Sequence, residues 1–188
     1  IHTLLDNVRD SDSALPSGAT AKTNVERAHH RLRSQGTDPL TQTVIVDCDA
    51  TVAKSSHMRD VSPCITRSRA RGHWITSHKR YMFLSEMLRL QGFNPQRFNQ
   101  TVTDHQLGQQ IGNAMSVNVL ERLLIPALSA ANLMPRNSSS VDRWQNGSAI
   151  AQLQQTIPNG LQLSPIKIID SFPAVSYTHL RAHETINH

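Results

Sequence analysis

The chain has 188 residues, a formal net charge of +5 and a sequence pI near 9.8, so it is long enough for one domain and its basic balance favours an anionic partner, nucleic acid above all. Hydrophobic residues make up only 38% and aromatic residues 4%. That thin supply of core predicts that part of the chain stays outside a packed interior or belongs to a larger body. No run approaches the ~18 apolar residues of a membrane span, no secretory leader is expected, and Cys48 and Cys64 form neither a metal-type spacing nor a disulfide framework.

Residues 1–40 are polar, with a Ser/Asp/Pro/Gly cluster at 10–18, and read as loop or as weak helix around 22–34. Thr41–Asp47, "TQTVIVD", is β-branched and apolar and is the clearest strand. "SPCIT" and "HWIT" follow as short β-type segments separated by "RSRARG", a pattern that predicts a hairpin or meander with a cationic loop. From residue 67 to residue 80 the cations are Arg67, Arg69, Arg71, Lys79 and Arg80, with no acid among them. In an extended loop the alternating Arg67, Arg69 and Arg71 project to one side. There they could neutralise phosphates or reach guanine edges, with Trp74 packed beneath them. A solvated surface loop would carry the same residues.

The period then changes. "SEMLRLQGF" predicts a short helix with Ser85 as N-cap, Gly92 just past its end and a Glu86–Arg89 pair across one turn. "NPQRF" reads as a turn and the stretch from Gln100 to Gly112 as loop. From Asn113 a helical pattern returns, with Ala114, Val117, Leu120 and Leu124 as an apolar stripe, Asn118, Glu121 and Arg122 opposite, and Pro126 at its end. Asn113 would then cap a helix start, beside a Gly112 that allows close backbone approach. Residues 129–174 are rich in Ser, Asn, Gln and Pro and read as a tail without fixed structure, holding one apolar segment, "LQLSPIKIID". "VSYTHLRAHET", from Val175, resembles the in-frame translation of a sequencing-library adapter and is set aside from fold reasoning.

Two stretches carry a family resemblance. "RYMFLSEMLRLQGFNPQRF" places Arg80, Glu86, Arg89, Leu90, Gln91, Gly92, Phe93 and Phe98 on a pattern similar to the ninth conserved block of DNA cytosine-5 methyltransferases. "QQIGNAMSV" places Gln110, Gly112 and Asn113 on a pattern that resembles the tenth. Order and spacing match as well, over about Pro63–Leu124. Phe83 and Asn94 depart from the pattern, standing where the family favours Thr and Pro.

The resemblance implies an α/β fold: the C-terminal part of a Rossmann-like methyltransferase, with part of a small β-rich target-recognition region. Residues 1–79 would belong to that region, 80–128 would return to the catalytic domain, 129–174 would be a tail, and 175–188 adapter. It implies S-adenosyl-L-methionine as cofactor, with Gly112, Asn113 and Ala114 at the edge of its pocket, and cytosine-containing duplex DNA as partner. Arg80, Glu86, Arg89, Gly92 and Gln110 take structural roles. Cys64 lies in a Pro-Cys pair, but directly before block nine and without the Gln that follows the family's nucleophile. It is expected to be a small buried residue on a strand. No Pro-Cys-Gln, no Glu-Asn-Val and no Gly-rich turn after a strand is present, so the chain is expected to be a fragment, inactive alone and incompletely folded for want of a sheet under its helices. A tRNA cytosine methyltransferase and a catalytically dead DNA-binding homologue stay open. No metal site is expected, since His29, His30 and His57 have no ligand-like neighbours in sequence. The location would be the nucleus in a eukaryote and the cytoplasm otherwise.

Overall fold

Val44, Ile45 and Val46 form β1 (Val44–Val46) and are fully buried, which puts three consecutive side chains out of water on both faces of a sheet. Such a run, apolar at every position instead of every second one, is what a strand covered on both sides requires. The computed structural model, which describes residues 1–10, 15–134 and 141–154, shows what covers it. The sheet is antiparallel throughout, in the order β2 (His57–Arg59), β1, β3 (Trp74–Ile75), β4 (Arg80–Tyr81). Ile45 faces Met58 on one side and Ile75 on the other.

One face packs on α1 (Ala19–Ser34). Ala21, Val25, Ala28 and Leu32 make the stripe along that helix and meet Val44, Val46, Cys48 and Trp74. The other face packs on α2 (Leu84–Leu90) and α3 (Asp104–Asn113), where Ile45, Ile65 and Ile75 meet Met87, Leu88, Leu107 and Ile111. Each fully buried Val, Ile or Leu contributes about 1.5–3 kcal/mol. α1, α2 and α3 therefore lie on the chain's own four-stranded sheet, contrary to the expectation that the helices would lack one.

Several elements differ from the sequence reading. Pro63–Thr66 is not a strand, and Arg67–Arg69 is a 3-10 turn, so β3 pairs with β1 and β4 and the expected hairpin does not form. The stretch read as loop before Asn113 is α3. Thr103 caps it by accepting from the Gln106 N–H at 3.3 Å, and Gln106 Oε1 accepts in return from the Thr103 N–H at 3.1 Å. Asn113 is thus the last residue of one helix instead of the cap of the next. α4 (Val117–Ala130) begins after Ser116 and runs through Pro126. It buries no residue. Val119, Leu123 and Leu124 are 47–61% exposed, whereas Ala114, Val117 and Leu120 of the expected stripe are half-buried. α5 (Ser148–Gln154) is helical where composition predicts a structureless tail, and buries Ala149 and Leu153. The apolar segment at 161–170 and the adapter-like end lie outside the described residues.

Candidate functional site

The block-nine residues converge on one buried ion pair. β4 presents Arg80, and α2 presents Glu86, which is fully buried. Arg80 Nη1 donates to Glu86 Oε2 and Nη2 to Oε1, both at 2.8 Å, in the forked geometry that suits guanidinium and carboxylate. The other donors are taken by main-chain carbonyls: Nε by Val8 at 2.8 Å, Nη2 by Asp6 at 2.9 Å and Nη1 by Tyr81 at 3.0 Å. Every guanidinium N–H has an acceptor. Glu86 also accepts the Asp6 and Phe83 N–H groups, each at 2.7 Å. The Phe83 ring lies 3.9 Å from the Arg80 guanidinium carbon.

This arrangement corrects two expectations. Glu86 pairs with Arg80 and not with Arg89, which instead donates from Nε to the Leu4 carbonyl at 2.7 Å and from Nη2 to Asp6 Oδ1 at 2.6 Å. Ser85 does not cap α2. It donates to Asp6 Oδ2 at 3.3 Å, while Phe83 holds the cap position and Glu86 supplies the acceptor that a Thr there would have shared. Residues 4–8 were not singled out in the sequence. Leu4, Leu5, Asp6, Asn7 and Val8 form no periodic pattern, and only their partners on β4 and α2 give them a role.

Gln91 joins block nine to block ten. It is buried, donates from Nε2 to the Ile111 carbonyl at 3.1 Å, and accepts from Ser116 Oγ at 2.6 Å, while its own carbonyl accepts the Val117 N–H at 2.9 Å. Gly92 takes φ of +88° just past α2, and a Cβ there would stand 2.9 Å from both Trp144 and Val117. Gln110, expected to be structural, is exposed on α3, and its side chain makes no hydrogen bond among the described residues.

Gly112 is shaped by another part of the same chain. A Cβ on it would lie 2.2 Å from the Thr66 carbonyl carbon and 2.4 Å from the Arg67 nitrogen, and one on Gly108, a turn earlier, would lie 2.1 Å from the Ala70 oxygen. The two glycines let α3 lie directly on the backbone of residues 66–70. Asn113 and Ala114 sit beside this contact. The Asn113 amide is exposed and makes no hydrogen bond among the described residues, and Ala114 is extended, with φ −72° and ψ 146°.

Arg67, Arg69 and Arg71 do not project to one side. A 3-10 turn has about three residues per turn, so residues two apart point in different directions. Arg69 Nε donates to Asp47 Oδ1 in a short ion pair. Arg71 lies with its guanidinium carbon 5.0 Å from the Tyr81 ring centre, and Tyr81 in turn meets Trp74 edge-on at 5.3 Å. Trp74 is thus buried below Tyr81 and not directly beneath the arginines. Arg67 and Arg71 are exposed, and neither is in an ion pair among the described residues. Thr66, Arg67, Ser68 and Gln109 line an open recess of about 430 Å³.

Asp47 also lies 3.8 Å from His73 Nδ1, and the His73 ring is wholly buried with Nε2 3.3 Å from the Cys64 carbonyl. Burial holds His73 below the ordinary imidazole range, against the opposing pull of Asp47. Cys64 itself is exposed and on no strand, because Ile65 and Pro63 turn inward around it. Cys48 is buried, and burial raises its thiol to about 11. A native labelling experiment at neutral pH with iodoacetamide should therefore modify Cys64 rapidly and Cys48 only after unfolding. Equal labelling of both would contradict the burial.

A helix-and-sheet body joined through these two sequence blocks fits an α/β methyltransferase. The chain belongs to the C-5 cytosine-specific DNA methylase family, whose model matches residues 5–125. The family methylates cytosine at C5 and normally draws the methyl group from S-adenosyl-L-methionine. No curated protein matched the chain in the comparison made. Among the described residues no helix is long and apolar enough to cross a membrane, and no group of three potential metal ligands is found.

Proposed function

We propose that the chain is the C-terminal part of a DNA cytosine-5 methyltransferase, in which residues 1–79 help to read duplex DNA and the 112–114 corner forms one edge of the S-adenosylmethionine pocket. The observation that carries this reading is the contact of Gly112 with Thr66 and Arg67. The turn that carries the exposed Arg67 is seated on the helix that ends in Asn113. A loop engaging DNA and a corner engaging cofactor are thus one rigid piece, so that a shift of either is transmitted to the other.

The residues fit the cofactor in part. Asn113 has free side-chain amide donor and acceptor groups among the described residues, whereas the Ala114 N–H is taken by the Ile111 carbonyl at 3.2 Å and the face of Gly112 is filled by the 66–67 backbone. The cofactor supplies an electrophilic methyl group when bound. This chain's own contribution is to hold that edge and to position DNA, with Arg67 and Arg71 placed for phosphate contact.

The test is methyl transfer from radiolabelled S-adenosylmethionine, using the whole reading frame that encodes this chain, on duplex DNA and on tRNA. Label is expected in DNA cytosine and none with the 188-residue chain alone. Label confined to tRNA would replace this reading with its RNA counterpart.

A further inference from the structure

We infer that the cleft between α1 and the segment from Val52 to His57 is a second phosphodiester-binding subsite, centred on Arg27 and Arg31 and separate from the 67–71 loop. The inference rests on the DNA-binding reading above and names where a second part of the backbone would lie.

The cleft has a volume of about 280 Å³. Arg27, His30 and Arg31 line it from α1, with Ser55 and His57 opposite. Among the described residues no carboxylate lines it. Glu26, one residue before Arg27, lines a different cavity together with Arg33. Arg27 and Arg31 stand four residues apart, so they share one helix face, an arrangement of like charges that costs an isolated helix a few tenths of a kcal/mol. Packing does not require it, since both side chains are exposed. Arg27 spends one N–H on the Val52 carbonyl at 2.8 Å, which fixes the opposite wall of the cleft. Arg31 has no acceptor among the described residues. The cleft therefore presents at least one uncommitted guanidinium toward an open face, and its floor is held by Asn24, which donates to the Cys48 and Ala50 carbonyls at 2.7 and 2.8 Å.

The chemistry favours a polymer phosphate over a free nucleotide. Among the described residues no Phe, Tyr or Trp lines the cleft to stack a base, and no glycine-rich turn offers a ring of N–H groups to a terminal phosphate. An isolated pair of arginines suits a singly charged diester. The cleft is also joined to the arginine loop. Ser55 Oγ donates to the Asp47 carbonyl at 3.0 Å, and the Asp47 carboxylate accepts from Arg69. One strand end thus anchors both cationic elements, as two contacts to one nucleic-acid backbone require. Burial, then the charge of Arg31, holds His57 below the ordinary imidazole range, and an anion in the cleft would offset the second of these.

The test uses the full chain and a fluorescently labelled DNA duplex, with affinity followed by anisotropy across a salt series. Arg31→Gln should weaken binding roughly tenfold, the scale of one charge-assisted hydrogen bond, and lower the log–log salt slope by about 1. Arg31→Lys should keep the slope, and Arg33→Gln, on the other side of the helix, should change neither quantity. Arg31 is exposed and has no hydrogen-bond partner among the described residues, so Arg31→Gln should give the parent's circular dichroism spectrum. An Arg31→Gln protein with the parent's affinity and slope overturns the subsite while leaving the DNA reading intact. A parent chain that binds no duplex overturns both. Titration with inorganic phosphate, followed by the His57 ring resonances, separates the sources: a shift there with unchanged duplex binding by Arg31→Gln would mean a free-anion site and refute the diester assignment.

Discussion

Glu86→Gln should lower the stability of the protein by about 3–5 kcal/mol, the cost of leaving one member of a buried ion pair without its partner. Both Glu86 oxygens accept two hydrogen bonds each, one from Arg80 and one from a backbone N–H. An amide in the same place turns one oxygen into a donor that faces two donors. It also leaves the Arg80 charge, 7% exposed at its side chain, uncompensated. Arg80→Lys should cost a similar amount, because an ammonium group cannot serve acceptors spread over Asp6, Val8, Tyr81 and Glu86. Chemical denaturation read by circular dichroism gives the number. A loss below about 1 kcal/mol for either variant would mean that water reaches the pair, since exposed ion pairs are worth no more than that. Replacing both residues by apolar ones of similar volume should cost less than either single change, although the Asp6 and Phe83 N–H groups would still lose their acceptors.

The second large effect is expected at the glycines of α3. Gly112→Ala places a methyl group 2.2–2.4 Å from backbone atoms of Thr66 and Arg67, and Gly108→Ala places one 2.1 Å from the Ala70 oxygen. The opposing atoms are main chain, so no rotamer change can make room, and the helix must lift away from the turn. Overpacking usually costs about 1–3 kcal/mol, and a clash with main chain on this scale belongs at or above the top of that range. Alanine is otherwise the better helix former by roughly 1 kcal/mol, so a chain in which α3 and the turn were not in contact would be stabilised by the change. The sign of the thermal shift therefore decides the matter. Hydrogen exchange should quicken at residues 66–70 and 107–113 in either variant, and Gly112→Ala should weaken duplex binding through Arg67 as well.

What could be read from the sequence follows from how local each determinant is. β1 is legible because Val44–Val46 is apolar and β-branched at consecutive positions, and α2 because Leu84–Leu90 carries helix formers and stops at a glycine. α3 was hidden by its own packing solution. Gly108 and Gly112 remove two residues from the apolar stripe and lower helix propensity, so Leu107 and Ile111 alone marked the buried face. The Thr103–Gln106 capping box was the available signal for its start. The arginine loop misled in the opposite way: alternation implies one face only if the chain is extended, and Arg67–Arg69 is a tight turn. The site residues separate along the same line. Arg80 lies in a motif block six residues before its partner Glu86, and Gln91 lies in the same block, with its partners Ile111 and Ser116 in and beside the next one, 20 and 25 positions on. The partners of Arg80 and Arg89 at Leu4, Asp6 and Val8 are more than seventy residues distant, and no local pattern announces them. Trp144 over Gly92 is a similar case, since its stretch is polar on either side.

The strap of residues 4–8 has a consequence for how the protein is made. Asp6 and Glu86 are separated by 80 positions, so the acceptors that Arg80 needs leave the ribosome long before Arg80 does. At roughly 5–20 residues per second the early segment waits about 4–16 s for its partners. Over that interval β4 and α2, which supply its hydrogen-bond partners, do not yet exist. Its brevity limits what it leaves open in the meantime: Leu4, Leu5 and Val8 flank the polar Asp6 and Asn7. The strap can close only once α2 exists, and until it closes the Arg80–Glu86 pair keeps its water.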